Sequence, residues 1–341
     1  MTDSQTNPVA SFPPVVVSGI QPSGTLHLGN YFGAIRQHVE LHAAYESYFF
    51  IVNYHALTTL QDAEALRAYS IDVALDYLAL GFDPKKSHLF LQSDVPQVTE
   101  LAWLFYTITS VSQLEKGVSF KDKVAQGLGA NAGLFNYPIL QAADILVYGG
   151  TRVPVGADQK QNIEICRNLA SRFNDRFASA DPVFPVPEPY ILDEVAVVPG
   201  VDGRKMSKSY DNTIGIFDEG KTLKKKVMSI ITDSTPLEDP KDPETCNVFA
   251  LIKLFADDAK REEVAAAYRS GGYGYGHAKK ELLGLITERF AEARERRHEL
   301  SRNTDYVLDV LAEGGKKGRT QAEHFMERAR EATGLITTYN R

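Results

Sequence analysis

The first feature that restricts the fold is a strand of the buried type that leads through a short polar loop into a helix. The strand, Pro14–Ile20, is apolar almost throughout, which is typical of a strand covered on both faces in a parallel sheet. Gln21–Gly24 contains proline and glycine and predicts a turn. From about Gly29 onward, apolar residues recur at helical spacing. This unit predicts the start of an α/β fold.

The alternation of strands and helices continues along the chain. Tyr48–Tyr54 and His88–Gln92 have the composition of strands, and Asp62–Leu80 between them has the periodicity of a helix. Arg152–Val155 indicates a further strand. Parallel strands are joined by right-handed crossover helices, so this order predicts a doubly wound, Rossmann-type parallel sheet.

The strand pattern ends near residue 217, and helical segments follow it to the end of the sequence. We therefore expect a Rossmann-type domain at 15–217 and an all-helical domain at 218–320. We expect residues 1–14 to form a flexible tail and residues 321–341 to form a helix that packs back on the first domain. An insertion near 95–135 contains the apolar helix Val98–Leu114, which suits either the core or a subunit interface. Gly200–Asn212 is polar and predicts a mobile surface loop.

Composition excludes several classes of protein. No apolar run approaches the roughly 20 residues that a membrane-spanning helix needs, and the N-terminal segment lacks the pattern of a secretory signal. The two cysteines, Cys166 and Cys246, cannot form a disulfide framework or supply four ligands to a metal, which favours a reducing, cytoplasmic location. The net charge of −7 excludes a surface that is basic all over, but a local basic patch for nucleic acid remains compatible with it.

Two short stretches carry candidate chemistry. His27–Asn30 lies where the first helix begins, and a helix N-terminus suits phosphate because its N–H groups are unpaired. The alternative is a simple capped helix start. Lys205–Ser209 places two lysines three residues apart on a polar loop, which suits a clamp on pyrophosphate. The alternative is a solvated basic loop.

A third candidate is Asp144, which lies within the apolar helical segment Tyr137–Tyr148. An unpaired charge is costly in such surroundings, so the carboxylate needs a partner. The residues alone allow a functional role or an ion pair with a nearby arginine or lysine.

Taken together, His27–Asn30 and Lys205–Ser209 resemble the two ATP motifs of the class I aminoacyl-tRNA synthetases. The segment Ser18–Gly24 narrows the resemblance to the tryptophanyl-tRNA synthetase family. Other segments that resemble this family are Ala142–Leu146, Val155–Gln161, Ile231–Ser234 and Gly274–Gly276. The resemblance extends from about Val15 to Gly334, which is nearly the whole chain.

The resemblance implies an enzyme that activates L-tryptophan with ATP and transfers it to tRNA(Trp). It implies catalytic roles for His27, Lys123, Lys205 and Lys208. It implies ATP contacts at Gln21, Ser23, Gly29, Asn30, Gly156, Asp158, Met206 and Ser207. It implies tryptophan contacts at Val17, His55, Tyr137, Gln141, Asp144 and Gln159, with Asp144 accepting the indole N–H. It also implies Mg²⁺ bound with ATP, a homodimer formed through the insertion, and a helical domain that binds the anticodon. No metal bound by the protein itself is expected.

The sequence departs from the commoner bacterial pattern of this family at Val17 and Gln141, where many members have phenylalanine and methionine. These departures resemble a second branch, some of whose members carry an iron–sulfur cluster. Two cysteines cannot supply four ligands, so we expect no cluster. Basic residues of the helical domain, for example Arg294, Arg296 and Arg297, are either contacts for tRNA or solvated helix faces.

Three other functions are compatible with parts of the sequence. A tyrosyl-tRNA synthetase is disfavoured by Ser18–Gly24 and by the context of Asp144. A synthetase-like binding or regulatory protein is disfavoured by the retention of His27, Lys205 and Lys208. A ligase resembling pantothenate synthetase is disfavoured by the long helical domain.

Overall fold

The computed structural model describes residues 12–41, 44–115, 131–156, 160–190 and 197–338. Within these ranges five parallel strands form one sheet in the order β3-β2-β1-β4-β5. The strands are β1 (Val15–Ile20), β2 (Glu46–Ile51), β3 (His88–Leu91), β4 (Arg152–Pro154) and β5 (Glu188–Tyr190). The strand order reverses at β1, and in such sheets ligands bind beyond the carboxyl ends of the strands at that point. The predicted doubly wound sheet is confirmed.

Helices cover the sheet and form the C-terminal part of the chain. The helices near the sheet are α1 (Leu28–Asn30), α2 (Arg36–Leu41), α3 (Asn53–Ala56), α4 (Ala63–Ala79), α5 (Gln97–Ile108), α6 (Val111–Glu115), α7 (Ala132–Leu146) and α8 (Lys160–Phe177). A π-helical turn, Tyr31–Ile35, joins α1 to α2. The remaining helices are α9 (Gly220–Met228), α10 (Asn247–Phe255), α11 (Asp258–Ser270), α12 (Tyr275–Ser301) and α13 (Thr304–Thr333).

The first strand separates two apolar cores because successive side chains of a strand point to opposite faces. Val16 packs in the core that continues into the helical domain. Val15 and Val17 pack in the other core, with α5, α7 and α8. This burial on both faces is the reason that the β1 sequence is apolar throughout.

The structure differs from the predicted elements in three places. The second strand ends at Ile51 rather than Tyr54, and α3 follows it. The proline-rich region 182–189, for which the sequence predicted no strand, contributes the start of β5; Pro189 is tolerated there because β5 is an edge strand. The helix predicted for Val98–Leu114 is two helices, α5 and α6, since the backbone at Thr109 is extended.

The chain after residue 218 is helical, as predicted, and its last helix returns to the sheet. Helix α13 is continuous over 30 residues, so the boundary that the sequence suggested at residue 320 falls inside it. It approaches β3 so closely that a Cβ atom at Gly314 would lie 2.1 Å from the carbonyl oxygen of Leu89. Phe325 and Ala329 are buried in the core that contains Val17. Among the described residues, no helix is both long and apolar enough to cross a membrane.

Candidate active site

A cleft of about 470 Å³ opens beyond the carboxyl ends of β1 and β4. Both predicted groups of site residues contribute to it. From the predicted ATP group it is lined by Gln21, Ser23, Asn30 and Gly156, and from the predicted amino-acid group by Val17, His55, Tyr137, Gln141 and Asp144. The strand order brings them together, because the loops after β1, β2 and β4 meet at one edge of the sheet.

Asp144 lies at the inner end of this cleft with only 2% of its surface exposed. Its Oδ2 atom lies 2.9 Å from Nε2 of His55. The side-chain amide of Gln92 donates to both carboxylate oxygens, at 2.7 Å to Oδ1 and 2.9 Å to Oδ2. The sequence left open an ion pair with an arginine or a lysine; the partners that the structure gives Asp144 are a histidine and a glutamine.

Gln92 was not among the predicted site residues, although it is fully buried. Its Oε1 atom accepts hydrogen bonds from the backbone N–H groups of Tyr54 at 3.0 Å and His55 at 3.4 Å. The amide therefore ties α3 to Asp144. The sequence signal that could have identified it is a polar residue directly after an apolar strand, where parallel sheets place their ligands.

The surroundings of Asp144 set its acidity. Burial raises the pKa of Asp144 above its ordinary value, while the hydrogen bonds from His55 and Gln92 and the charge of His55 act in the opposite direction. Hydrogen bonds from donors favour the ionised form of a carboxylate. The ionised carboxylate is an acceptor only, so the cleft ends in a group suited to an N–H donor.

Tyr137 and Gln141 lie on the same helix as Asp144, at the same cleft. The Tyr137 ring packs edge-on against the His55 ring, with centroids 5.8 Å apart, and its hydroxyl accepts from Nδ2 of Asn162 at 2.7 Å. Within the described residues, the buried Oε1 atom of Gln141 has no hydrogen-bond partner. A buried acceptor without a partner is costly, and a ligand in the cleft would supply one.

The first motif begins helix α1. The side chain of Asn30 accepts a hydrogen bond from the backbone N–H of His27 at 3.1 Å, which closes the first turn. Gly29 is enclosed: a Cβ atom there would lie 2.9 Å from Nδ1 of His27 and 3.4 Å from Cβ of Met206. The two motifs, far apart in sequence, thus touch at Gly29. The π-helical turn that follows is a departure from α-helix of a kind that is frequent at functional sites.

His27 is held neutral in this position. Burial, and next the positive charge of Lys208, lower the pKa of His27 to about 4. At neutral pH its ring is therefore uncharged and can offer one N–H donor and one acceptor.

Lys208 of the second motif reaches back to the first loop. Its ammonium donates to the carbonyl oxygens of Ser23 and Gly24, both at 2.9 Å, and to the Ser23 hydroxyl at 3.1 Å. Burial lowers the pKa of Lys208, and the charge of Asp76 opposes that effect. The lysine is thus placed beside the loop that enters α1, with acceptors that are backbone oxygens rather than a carboxylate.

The loop predicted to be mobile, Gly200–Asn212, is anchored at two buried residues. Met206 is 4% exposed, and its N–H donates to the carbonyl of Val198 at 2.8 Å. Asn212 is 1% exposed and accepts from the N–H of Ser207 at 2.8 Å. These anchors hold Met206 and Ser207, in the middle of the motif. Lys205 lies at the surface directly before Met206.

Three predicted site residues lie outside the described residues: Lys123, Asp158 and Gln159. The same holds for part of the insertion near 95–135 and for most of the tail at 1–14. Within the described part of the insertion, Trp103 on α5 is 66% exposed. Val98, Leu101 and Phe105 of the same helix are buried in the core that contains Val17, so α5 belongs to the core on one face and exposes Trp103 on the other.

Comparison with known proteins agrees with the resemblance found in the sequence motifs. The family model of class I tRNA synthetases for tryptophan and tyrosine matches residues 11–291. A tryptophan–tRNA ligase of Fusobacterium nucleatum is 53% identical over 320 residues, 94% of this chain and 98% of the relative. A ligase of the same name from Rhodopirellula baltica is 52% identical, covering 94% of this chain and 99% of the relative. The chain belongs to the tryptophanyl-tRNA synthetases.

A solved tryptophanyl-tRNA synthetase of Campylobacter jejuni, in complex with ADP and tryptophan, has the same fold. Its TM-score is 0.89 at 48% identity, with 94% of this chain and all of that chain covered. Membership of the tryptophanyl-tRNA synthetases makes the chain an ATP-dependent aminoacyl-tRNA ligase. The resemblance inferred from the sequence motifs is confirmed, and the tyrosyl alternative is set aside.

The basic residues considered as tRNA contacts are corrected in part. Arg294 and Arg297 of α12 do not form a solvated helix face, because both side chains are directed inward. Arg294 donates to the carbonyl of Ile216 at 3.1 Å, and Arg297 pairs with Asp76 at 2.5 Å. Arg296 donates to the carbonyl of Ala79 at 2.8 Å. These arginines join the helical domain to α4 and to the linker near 216. The sequence could not reveal this, because the acceptors lie more than 70 residues away along the chain.

Proposed function

We propose that the cleft forms tryptophanyl-adenylate from L-tryptophan and ATP, and that the tryptophan is then transferred to tRNA(Trp). The observation that carries this proposal is the continuity of the cleft, which runs from Asp144 to the loop and helix start at Gln21 and Asn30. An amino acid held at one end would have its carboxylate beside an ATP held at the other. Family membership and the ADP and tryptophan in the Campylobacter jejuni relative support the same assignment.

Recognition of tryptophan rests on Asp144. The indole N–H is a donor only, and Asp144 is a buried acceptor whose orientation is fixed by two donors, Gln92 and His55. Val17 bounds the same pocket, and Tyr137, Gln141 and Gln159 supply polar groups for the amino-acid backbone. The donors around the carboxylate favour its ionised form, which is an acceptor only and suits a donor-only partner.

ATP is bound by the first loop and by the turn after β4. Gln21, Ser23 and Asn30 line the cleft beside the N-terminus of α1, where backbone N–H groups suit phosphate. Gly29 lets the start of α1 lie close to His27 and to Met206 of the second motif. Gly156 lines the cleft at the other side, and Asp158 is assigned to the ribose hydroxyls. Mg²⁺ arrives with the nucleotide, since this ion is commonly held by phosphate oxygens and water.

The chemistry needs no covalent intermediate with the protein. A carboxylate oxygen of tryptophan attacks the α-phosphorus, the bond to the bridging oxygen of the β-phosphate breaks, and pyrophosphate leaves with the electron pair. Lys123, Lys205 and Lys208 stabilise the charge that develops on the leaving group, with His27 as a donor to the phosphates. Lys208 exchanges its backbone acceptors at Ser23 and Gly24 for phosphate oxygens as the loop closes. Met206 and Ser207, which lie between Lys205 and Lys208, are assigned contacts with ATP.

The second step takes place in the same cleft. A hydroxyl of the terminal adenosine of tRNA attacks the carbonyl carbon of the adenylate, the ester bond to tRNA forms, and AMP leaves. The helical domain at 218–320 is assigned to the anticodon. In it Lys224 and Lys225, and further along α13 Lys316 and Lys317, remain at the surface.

The active form is assigned as a homodimer in the cytoplasm. Trp103 and Val111, both in the insertion near 95–135, are 66% and 63% exposed, and large exposed apolar residues of this kind commonly mark protein interfaces. Both cysteines are free thiols, which suits a reducing compartment. Light scattering of the purified chain tests the dimer directly: a single species with the mass of one chain would refute it.

The decisive assay is exchange of labelled pyrophosphate into ATP, run with tryptophan and with tyrosine. We expect exchange that depends on tryptophan, followed by charging of tRNA(Trp). A lack of exchange with tryptophan overturns the proposal. Exchange without charging of tRNA supports the alternative of a synthetase-like protein with another role.

A further inference from the structure

Three buried polar side chains form one chain of hydrogen bonds beside the first strand. Nε2 of His38, on α2, lies 3.0 Å from Oγ of Ser18 on β1. Nδ1 of the same ring lies 2.8 Å from the hydroxyl oxygen of Tyr77 on α4. Among the described residues, neither hydroxyl has another hydrogen-bond partner. The chain therefore consists of three groups joined by two hydrogen bonds.

This chain has one hydrogen atom more than its two hydrogen bonds can use. Each hydroxyl carries one hydrogen, and a neutral imidazole carries one hydrogen and offers one acceptor. Burial lowers the pKa of His38 to about 3, so the ring is neutral at pH 7. Two of the three hydrogens lie within the chain. The third is left over at one of its ends, on Ser18 or on Tyr77.

The surroundings of the two ends decide which hydroxyl keeps the extra hydrogen. Tyr77 borders the cleft but has no exposed surface, whereas Ser18 lines the cleft and is 7% exposed. A buried donor without an acceptor is costly, so the hydrogen of Tyr77 belongs to Nδ1 of the ring. The ring then carries its own hydrogen on Nε2 and donates it to Ser18. The hydrogen of the Ser18 hydroxyl is left for an acceptor in the cleft.

Ser18 faces the side of the cleft that carries the first motif. Successive side chains of a strand point to opposite faces, so Ser18 lies on the face of β1 away from Val17, which bounds the tryptophan pocket. Gly33 and Ala34, in the π-helical turn directly after the first motif, line the cleft. Ala34 precedes His38 by four residues, about one helical turn. The free hydroxyl hydrogen therefore belongs to the end of the cleft assigned to ATP, whose phosphates and ribose offer oxygen acceptors.

We propose that Ser18 donates a hydrogen bond to an oxygen of bound ATP, and that His38 and Tyr77 are positioning residues that fix the direction of this hydroxyl. This inference rests on the proposed function. A serine hydroxyl rotates and can donate or accept. Because the ring donates to Oγ, Ser18 is set as a donor before ATP binds, which lowers the entropy lost on binding. Asp144 is held by other groups, so tryptophan binding should not depend on this chain.

The test combines pyrophosphate exchange at varied ATP concentration with equilibrium dialysis of tryptophan, on full-length variants. Ser18→Ala removes the donor, and we expect kcat/KM for ATP to fall by about 3- to 10-fold, the loss of one hydrogen bond. Tyr77→Phe removes only the hydrogen that holds the ring in one tautomer, so that Ser18 can turn and donate to the ring. Its kcat/KM for ATP should fall by about threefold or more. In both variants the tryptophan Kd should stay within about twofold.

His38→Phe removes both hydrogen bonds and keeps a ring of similar size. Because His38 acts through Ser18, the double variant Ser18→Ala/His38→Phe should be no slower than the slower single variant. The matched controls are Tyr268→Phe and Ser47→Ala. Tyr268 has no exposed surface, and its hydroxyl lies 3.4 Å from Sγ of Cys246 in the helical domain. Ser47 is fully buried on β2 and donates to a backbone carbonyl. Both controls should keep kcat/KM for ATP within about twofold.

Each outcome decides the inference. It is overturned if Ser18→Ala or Tyr77→Phe keeps the wild-type kcat/KM for ATP, or if either control loses as much. It is also overturned if the tryptophan Kd rises in parallel, or if the losses in Ser18→Ala and His38→Phe add. Where His38→Phe does not fold by circular dichroism, the double variant Ser18→Ala/Tyr77→Phe is judged by the same criteria. Lack of tryptophan-dependent exchange in the wild-type protein would instead refute the proposed function.

Discussion

The side-chain amide of Gln92 donates to both carboxylate oxygens of Asp144, at 2.7 and 2.9 Å. The same side chain accepts from the backbone N–H groups of Tyr54 and His55. Gln92 thus fixes the carboxylate to α3, and its N–H donors favour the ionised form, which is an acceptor only. In the proposed function, this pair gives the pocket its preference for a donor-only side chain.

Replacing Asp144 by asparagine should weaken the binding of tryptophan without weakening the binding of ATP. The amide of Asp144→Asn is a poorer acceptor and brings N–H donors toward the donor of Gln92. A hydrogen bond to a charged group contributes about 1.5–3 kcal/mol, so we expect the tryptophan KM in pyrophosphate exchange to rise by about 10- to 100-fold. The ATP KM should change little. An unchanged tryptophan KM would refute the indole role of Asp144.

Changing Gln92 to glutamate tests the positioning of Asp144. Gln92→Glu would place two carboxyl groups within hydrogen-bond distance, and one of them would retain a proton because two like charges cannot both be ionised there. We expect a rise in tryptophan KM of about tenfold or more, with kcat much less affected. The matched control is Gln113→Glu, whose side chain accepts from Arg172 at 3.0 Å, away from the cleft. Equal effects of the two changes would exclude this role for Gln92.

Removal of the Lys208 ammonium should slow the activation step. In Lys208→Ala the positive charge that stabilises the negative charge developing on pyrophosphate is absent. We therefore expect kcat of exchange to fall by about 100-fold with a small change in ATP KM. Lys224→Ala, which removes an exposed lysine of α9, is the control and should leave exchange at the wild-type rate. If ATP affinity alone fell in Lys208→Ala, the transition-state role would be wrong.

We expect the fold to lose stability in acid because of His38. It is buried between the Ser18 hydroxyl at 3.0 Å and the Tyr77 hydroxyl at 2.8 Å, and burial lowers the pKa of His38 from 6.5 to about 3. Between these values the unfolded chain binds a proton that the folded chain does not, so stability falls as pH falls below 6.5. At pH 5 the contribution is about 2 kcal/mol relative to pH 7.

Denaturant unfolding of His38→Gln at pH 7 and pH 5 measures that contribution. The loss on acidification should be smaller than in wild type by about 2 kcal/mol. The comparison with wild type is necessary because burial raises the pKa of Asp76 to about 6, and this carboxyl stabilises the fold as pH falls. The exposed His298 provides the control: His298→Gln should retain the wild-type loss. An equal loss in His38→Gln and wild type would contradict the assignment.

Much of the fold follows from local sequence, and the strand–loop–helix at Val15–Asn30 shows why. A strand buried on both faces is apolar at every position, and its loop carries proline and glycine, so both signals are local. Asp144 was found by similar reasoning, because a carboxylate on an apolar helix requires a partner. Strand β5 has no clear signal in the sequence, because it is three residues long and contains Pro189, which a strand tolerates only at the edge of a sheet.

The partners of these residues could not be predicted, since they depend on the order of strands and the docking of domains. Gln92 and Asp144 are 52 residues apart, and only the sheet order brings β3 and α7 to one cleft. Arg297 looked like one of several surface arginines, yet it is engaged by Asp76, 221 residues earlier. Charge and periodicity identify which faces are polar; they do not identify which polar faces meet.

Because α13 approaches β3 closely, we expect two glycine-to-alanine changes in helices to have very different effects on the free energy of unfolding. At Gly314 a Cβ atom would lie 2.1 Å from the backbone oxygen of Leu89, whereas at Gly284, in α12, it would have no neighbour within 4 Å. Gly314→Ala forces helix and strand apart and should lower the free energy of unfolding by about 3 kcal/mol. Gly284→Ala should raise it by about 0.5–1 kcal/mol, because alanine restricts the unfolded chain. Urea unfolding of both variants measures this difference, and changes of the same sign and size would show that α13 does not need glycine at 314.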